Sequence, residues 1–427
     1  MIRLLSLILL GECVFGATST FGQTVERANW SILLYYVGEE EPGKTSMDDS
    51  IVRSLSSLAS VGAGNGVNVL AQVDRGRGLS DLIRRFYPDP RSSAAMRLAL
   101  QGTQWTIKEK LGEVNSGSPA ALEQALAWMA QNYPAEHYGL VIKSHGSGVL
   151  SWWGPGSVRS EHPGQVETFF VGYDDEAHDC LTPFEVEAVL ARFKDQHHQG
   201  RKLDLLVADS CDPAMIEVLY QLHDEVEYFI GSESTIIIGS FRYAGMLSLL
   251  KAGPQIDARQ LCERIVKDFI DSPEHSSTHD VMAAFALEAI PALVERFDLF
   301  AERLLAVRRD HGKFGVKGLV SFYDGAYWDL GKLAEAISQG RGEFATSPGY
   351  AELKAAAEEV LTALRATRVS MWYDGDYATG KVGGLSLFWP SKADKYQEYR
   401  NYYKTLALSE VTAWDEFLDC WFGVLPE

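Results

Sequence analysis

His137-Tyr138-Gly139-Leu140-Val141-Ile142-Lys143 is an apolar run that stops at Ser144-His145-Gly146-Ser147-Gly148. Leu203-Asp204-Leu205-Leu206-Val207-Ala208 is a second, and it stops at Asp209-Ser210-Cys211. Each reads as a short buried strand closed by small and polar residues. Working outward, helical patterns separate further strands. Trp30 to Val37, Val67 to Val73 and Tyr228 to Gly231 read as strands. Asp48 to Ala59 has helical periodicity. Ser118-Pro119 opens a helix to Asn132, with Ser as cap and Pro as first helical residue. Thr182-Pro183-Phe184-Glu185 is a capping box whose helix runs to about Phe193, and Pro213 to His223 reads as helical. This alternation predicts an α/β fold: a mostly parallel central sheet with helices on both faces. In such sheets, functional residues gather at the carboxyl ends of the strands.

Beyond residue 252 the pattern continues with helices, including Phe344 to Thr367. Two more strand-like runs follow, Lys317 to Tyr323 and Gly384 to Trp389. No Pro/Gly/Ser linker separates the halves. The expected organisation is a signal peptide over 1–22, a catalytic core over 23–252, and a C-terminal α/β extension over 253–427 packed on the core. There is no internal repeat and no low-complexity tract.

The leading segment has the three-part layout of a secretory signal: Arg3, an apolar run from Leu4 to Leu10, then small residues through Gly22. The apolar core is too short for a membrane span. Cys13 follows Glu12, where a lipoprotein motif wants a small residue. Secretion or periplasmic export is the expectation. Only Cys180, Cys211, Cys262 and Cys420 would survive cleavage, so this is no disulfide scaffold. The 427 residues carry a formal net charge of −19, a poor match for a phosphate backbone, so nucleic acid is not an expected partner. No integral membrane span is expected either.

Two motif sets compete for the chemistry. Gly38-Glu39-Glu40-Glu41-Pro42-Gly43-Lys44-Thr45 matches a phosphate-binding P-loop, and Leu203 to Asp209 resembles a strand ending in a magnesium-holding Asp. Three consecutive Glu count against it. Two carboxylate–phosphate charges about 4 Å apart, at an effective dielectric of about 20, repel by roughly 4 kcal/mol. The second set is a Cys and a His at two strand ends of one sheet edge. Cys211 has the thiol and His145 the imidazole that cysteine-based acyl transfer needs. The backbone N–H groups of Gly146 and Cys211 could support an oxyanion. A zinc site would need further ligands at regular spacing, and His137, His162, His178, His197 and His198 supply none.

These blocks resemble the clostripain-type cysteine peptidases of the caspase-like clan. HYGLVIKSHGSG is similar to the family's His-Gly block, and LDLLVADSC with Glu217 and Tyr220 to its Cys block. Val67 to Asp74, Leu111 to Asn115, Gly231-Ser232-Glu233, Tyr327 to Leu330, Gly384 to Pro390 and Thr412 to Trp414 extend the similarity over nearly everything after residue 30. The resemblance implies a caspase-like sheet, with Cys211 as nucleophile, His145 as the histidine that protonates the leaving amine, and peptide or protein substrates. It implies Asp209 as the acid beneath a basic substrate side chain, hence cleavage after Arg or Lys; an Asp capping the strand-end turn is the competing reading. Ser232 and Trp152 are further expected substrate contacts, although Trp152 could equally pack in the core.

The sequence departs from the family at two places. Asp212-Pro213 replaces an apolar pair after the nucleophile. Gly239 stands where an acid is usual, with Arg242 close by, which should weaken binding of Arg or Lys. Some relatives need calcium. Asp174, Asp175 and Asp179 could ligate it, though an acidic solvated turn explains them as well. The chemistry itself requires no cofactor. Trp153 to Gln165 is Gly/Pro/Ser-rich, and Arg159-Ser160 is the expected processing bond. The alternatives to an exported cysteine endopeptidase are a weakly active or inactive peptide-binding member of the same fold, and a P-loop ATPase.

Overall fold

The structure is a computed structural model that describes residues 27–38, 46–75, 95–150, 170–253, 255–270, 280–312, 314–317, 319–373 and 382–424. The leading segment, most of the Gly38–Thr45 motif, Trp152 and Arg159 lie outside them.

In chain order the first half runs β1 (Ala28–Gly38), α1 (Ser46–Val61), β2 (Val67–Arg75), β3 (Ala95–Gln101), β4 (Gln104–Gly112), α2 (Pro119–Asn132) and β5 (Ala135–Lys143). A small hairpin, β6 (Val171–Asp174) and β7 (Asp179–Leu181), leads into α3 (Pro183–His197). Then come β8 (Leu203–Asp209), α4 (Ile216–Leu222), β9 (Val226–Gly231), α5 (Tyr243–Ala252), α6 (Ala258–Ile270), β10 (Val281–Ala286) and α7 (Ile290–His311). The remainder is β11 (Ser321–Phe322), β12 (Tyr327–Asp329), α8 (Leu330–Ser338), α9 (Tyr350–Thr367), β13 (Arg368–Tyr373), β14 (Ser386–Phe388), α10 (Ala393–Tyr403), α11 (Ala407–Val411) and α12 (Trp414–Phe422).

Nine strands form one sheet in the order β13-β10-β9-β8-β5-β1-β2-β3-β4. The central strands β9, β8, β5, β1 and β2 are parallel, and the outer ones antiparallel. Strand β1 shows why the sheet needs two covering layers. Leu33, Tyr35 and Val37 face one core, while Trp30, Ile32, Leu34 and Tyr36 face the other. The period of two sends alternate side chains to opposite faces, so both must be covered. Helices α1, α5 and α6 pack on one face, and α2, α3, α4 and α7 on the other.

Local signals explain the helix starts. Ser118 accepts the Ala121 N–H with Pro119 in the first turn. Thr182 and Glu185 form a reciprocal capping box. Strands β10 and β13 lie past residue 252 yet join the central sheet, so the C-terminal half continues it. Strands β11, β12 and β14 form a second small sheet. It reaches the segment after β8: Ser386 donates its N–H to the Ala214 carbonyl at 3.0 Å.

Helix α4 starts at Ile216, later than the expected Pro213. Asp212 is in the left-handed region at φ +58, and Ala214 N–H bonds Ser232 O at 2.9 Å. The chain is thereby held irregular until Met215. No helix among the described residues is long and apolar enough to cross a membrane.

Candidate active site

Strands β5 and β8 are parallel neighbours, with Lys143 opposite Asp209 in register. The chains stay together past the strand ends. Ser144 donates its N–H to Asp209 O at 3.4 Å. A Cβ built on Gly146 would lie 2.6 Å from Ser210 Oγ and 2.8 Å from Cys211 O. Only a glycine lets these two backbones approach so closely. His145 and Cys211, each two residues past the register pair, therefore lie on adjoining segments of one sheet edge. His145 is half-buried.

Cys211 is half-buried, whereas Cys180, Cys262 and Cys420 are buried; all four are free thiols. The loop after β9 covers the sulfur. Ile236 donates its N–H to Cys211 Sγ at 3.5 Å, and the thiol faces Ile236 O at 3.8 Å. Burial pushes the Cys211 thiol up to about 12, and the charges of Asp212 and Asp209 add to this. The sulfur is thus held as a thiol rather than as a thiolate.

Asp212 was not singled out for a role from sequence. It is fully buried, and neither carboxylate oxygen has a hydrogen-bond partner. Burial pushes it up to about 8, so at neutral pH it is a protonated acid beside Cys211. Its N–H donates to Ser234 O at 3.1 Å.

Asp209 is not an open carboxylate. Its Oδ2 accepts from Lys143 Nζ at 2.7 Å and from the Tyr243 hydroxyl at 2.7 Å. A basic substrate side chain, expected here from the sequence, would share Asp209 with Lys143, which already supplies a cation. The same pairing removes the magnesium ligand of the nucleotide reading. Lys143 was legible as a charge closing an apolar strand. What hid its role was the register that sets it against Asp209.

Ser232, an expected substrate contact, is fully buried. Its hydroxyl accepts the Ser234 N–H at 3.0 Å, shaping the loop that brings Ile236 to the sulfur. The acidic residues expected to offer a calcium site form a hydrogen-bonded turn. Asp174 accepts N–H groups from Ser116, Glu176 and Ala177, and Asp179 accepts from Asn115 and Cys180. Asp175 lies in the turn between them. Among the described residues no group of three or more His, Cys, Asp or Glu is placed to hold a metal ion.

The C-terminal half clamps the loop that follows His145. The Tyr327 hydroxyl donates to Ser147 O at 2.5 Å and accepts Leu150 N–H at 3.0 Å. A cleft of about 670 Å³ runs from Thr235 to Tyr323 and α10. It carries charges of both signs, with Lys395 paired to Glu398 at 3.3 Å.

A free thiol and an imidazole thus lie on adjoining strand ends of one sheet edge. The clostripain family model, that of the C11 peptidases, covers residues 55–421. The chain belongs to the clostripain family. Three solved structures share the fold of this family member. An inactive zymogen C11 protease from Parabacteroides distasonis superposes with a TM-score of 0.62 at 18% identity, over 91% of this chain and 99% of that one. A secreted C11 cysteine protease from Bacteroides thetaiotaomicron, in complex with an irreversible peptide inhibitor, gives 0.61 at 16%, over 91% and 100%. A second structure of a secreted C11 cysteine protease from that organism, "iotapain", gives 0.60 at 14%, over 91% and 100%. No curated protein matches this clostripain-family sequence. The mostly parallel sheet flanked by helices is accordingly the caspase-like fold of C11 proteases, and the family is one of cysteine peptidases.

Proposed function

We propose that this protein is an exported cysteine endopeptidase in which Cys211 is the nucleophile and His145 the proton carrier. The observation that carries the reading is the close approach of Gly146 to Ser210 and Cys211, which joins the two strand ends into one site. The Cys211 sulfur attacks a peptide carbonyl, and its proton passes to His145 as the S–C bond forms. His145 gives that proton to the leaving nitrogen as the C–N bond breaks. Water then hydrolyses the thioester, losing a proton to His145, which returns it to sulfur. Backbone N–H groups at Gly146 and Cys211 support the oxyanion. A thiol held near 12 suits this order, in which the proton leaves during attack and no thiolate stands beforehand. Besides that water, the steps draw on side-chain and backbone groups.

The pairing of Lys143 with Asp209 weighs against a preference for Arg or Lys. Burial of the thiol under Ile236 favours the second reading, a weakly active or inactive peptide-binding member. Purified protein and its Cys211→Ala variant, offered a panel of fluorogenic peptides, separate the two. Turnover that is lost in Cys211→Ala is the expected result. Turnover that survives the substitution, or none by the unaltered protein, rejects the nucleophile.

A further inference from the structure

A second cavity, of about 520 Å³, lies between α1, the loop before α5, and α6. Arg53, Arg242 and Arg264 line it against a single carboxylate, Asp268, which already accepts from Arg264 Nε at 2.7 Å. Arg53 and Arg242 are exposed, and neither is ion-paired to a described residue. In a chain of formal net charge −19, this cavity thus gathers two guanidinium groups that no described residue pairs.

The inner wall is built for an anion as well. Ser50 is fully buried, lines the cavity, and its Oγ has no hydrogen-bond partner. It faces Gly239, where a Cβ would lie 3.3 Å from that oxygen and 3.6 Å from Arg53 Nη2. Gly239 has φ +98, so a side chain there would be strained as well as obstructive. Helix α5 opens onto the cavity at Tyr243 with no side-chain cap on its first N–H groups.

Two routes join this cavity to the thiol. Tyr243 lines it and bonds Asp209, two residues before Cys211. Gly239 lines it three residues after Ile236, whose N–H reaches the Cys211 sulfur. Asp209, the carboxylate on this path, is neutralised by Lys143 and does not repel an incoming anion.

We propose that the arginine-lined cavity receives the acidic side chain of the substrate residue whose carbonyl is attacked, so that cleavage falls after Asp or Glu. The proposal rests on Cys211 being the nucleophile. A carboxylate entering here accepts forked bonds from Arg53 or Arg242 and gives the Ser50 hydroxyl an acceptor. A Lys or Arg side chain meets two like charges that no described residue neutralises.

The test uses the full chain and peptides that differ only in the residue before the cut: Asp, Glu, Ala, Arg or Lys. Acidic peptides are expected to exceed the Ala peptide in kcat/KM by at least about tenfold, and the Arg and Lys peptides by more. Arg53→Glu and Arg242→Glu, both at exposed positions, are expected to lower the acidic-to-Ala ratio by roughly 10- to 100-fold. Cys211-dependent turnover that favours Arg or Lys would overturn the cavity's role and leave the nucleophile standing. So would an acidic preference that neither arginine variant alters. Absence of Cys211-dependent turnover with every peptide would overturn the nucleophile and, with it, this proposal.

Discussion

Lys143 Nζ stands 2.7 Å from Asp209 Oδ2, and each side chain is only 2% exposed. The pair closes the register-matched ends of β5 and β8, immediately before His145 and Cys211. A buried ion pair of this kind fixes geometry more than it adds net stability, because both charges have left water. Removing one partner strands the other. Lys143→Met should therefore cost about 3–5 kcal/mol in chemical denaturation. Lys143→Met with Asp209→Leu should cost less than Lys143→Met alone. Additive losses would show that the two groups do not act as a pair.

The state of the sulfur is open to a direct measurement. With the thiol pushed up to about 12, the thiolate fraction below pH 10 grows tenfold per unit. Iodoacetamide labelling of Cys211 should rise accordingly from pH 7 to 9 without a plateau. Asp212 is the second cause of the shift, and it ionises only above about 8. Asp212→Asn should thus speed labelling above pH 8 and change little below pH 7. A plateau near pH 7 would reveal a thiolate that stands ready before substrate binds.

The sheet centre was legible because its strands are short apolar runs, and its helix starts because Ser118 and Thr182 carry their caps beside them. The edges were not. Strand β4, Gln104–Gly112, is mostly exposed and polar, so its alternation gives little apolar signal. Strand β10, VMAAFA, is buried throughout and rich in alanine, which reads equally as helix. At the site, the two motif blocks suffice to set His145 and Cys211 on one edge. The partners of Asp209 could not be read, since Lys143 and Tyr243 reach it from positions 66 and 34 residues away. The arginine cavity was hidden for the same reason: Arg53, Arg242 and Arg264 come from three separate elements.

Buried acids predict how stability depends on pH. Burial pushes Asp212 up to about 8, and Asp74 and Glu217 each up to about 7. Their unfolded values are about 4. The folded chain therefore holds protons that the unfolded chain has released. Their contribution to stability is complete below pH 4 and is lost as pH rises through 7 to 8. Each group can contribute at most about 1.4 kcal/mol per pH unit in that window. Thermal unfolding should show Tm falling from pH 5 to pH 8, and Asp212→Asn should flatten the fall. A Tm that rises over this range would show these carboxyls to be ionised in the folded protein.

Gly146 separates a positional role from a merely structural one. A methyl group there would lie 2.6 Å from Ser210 Oγ and 2.8 Å from Cys211 O, so one of the two strand ends must yield. Overpacking of this kind costs about 1–3 kcal/mol. Chemistry should suffer more, because moving a reacting group by about 1 Å can cost on the order of 100-fold in rate. Gly146→Ala is expected to lower kcat by roughly 100-fold or more while the protein still folds and KM changes little. Ser210→Gly in the same chain removes both Ser210 atoms that the methyl group would meet, Oγ at 2.6 Å and Cβ at 2.7 Å, and should recover part of the loss. If Gly146→Ala retained full activity, the close approach of the two strand ends would not be what aligns His145 with Cys211.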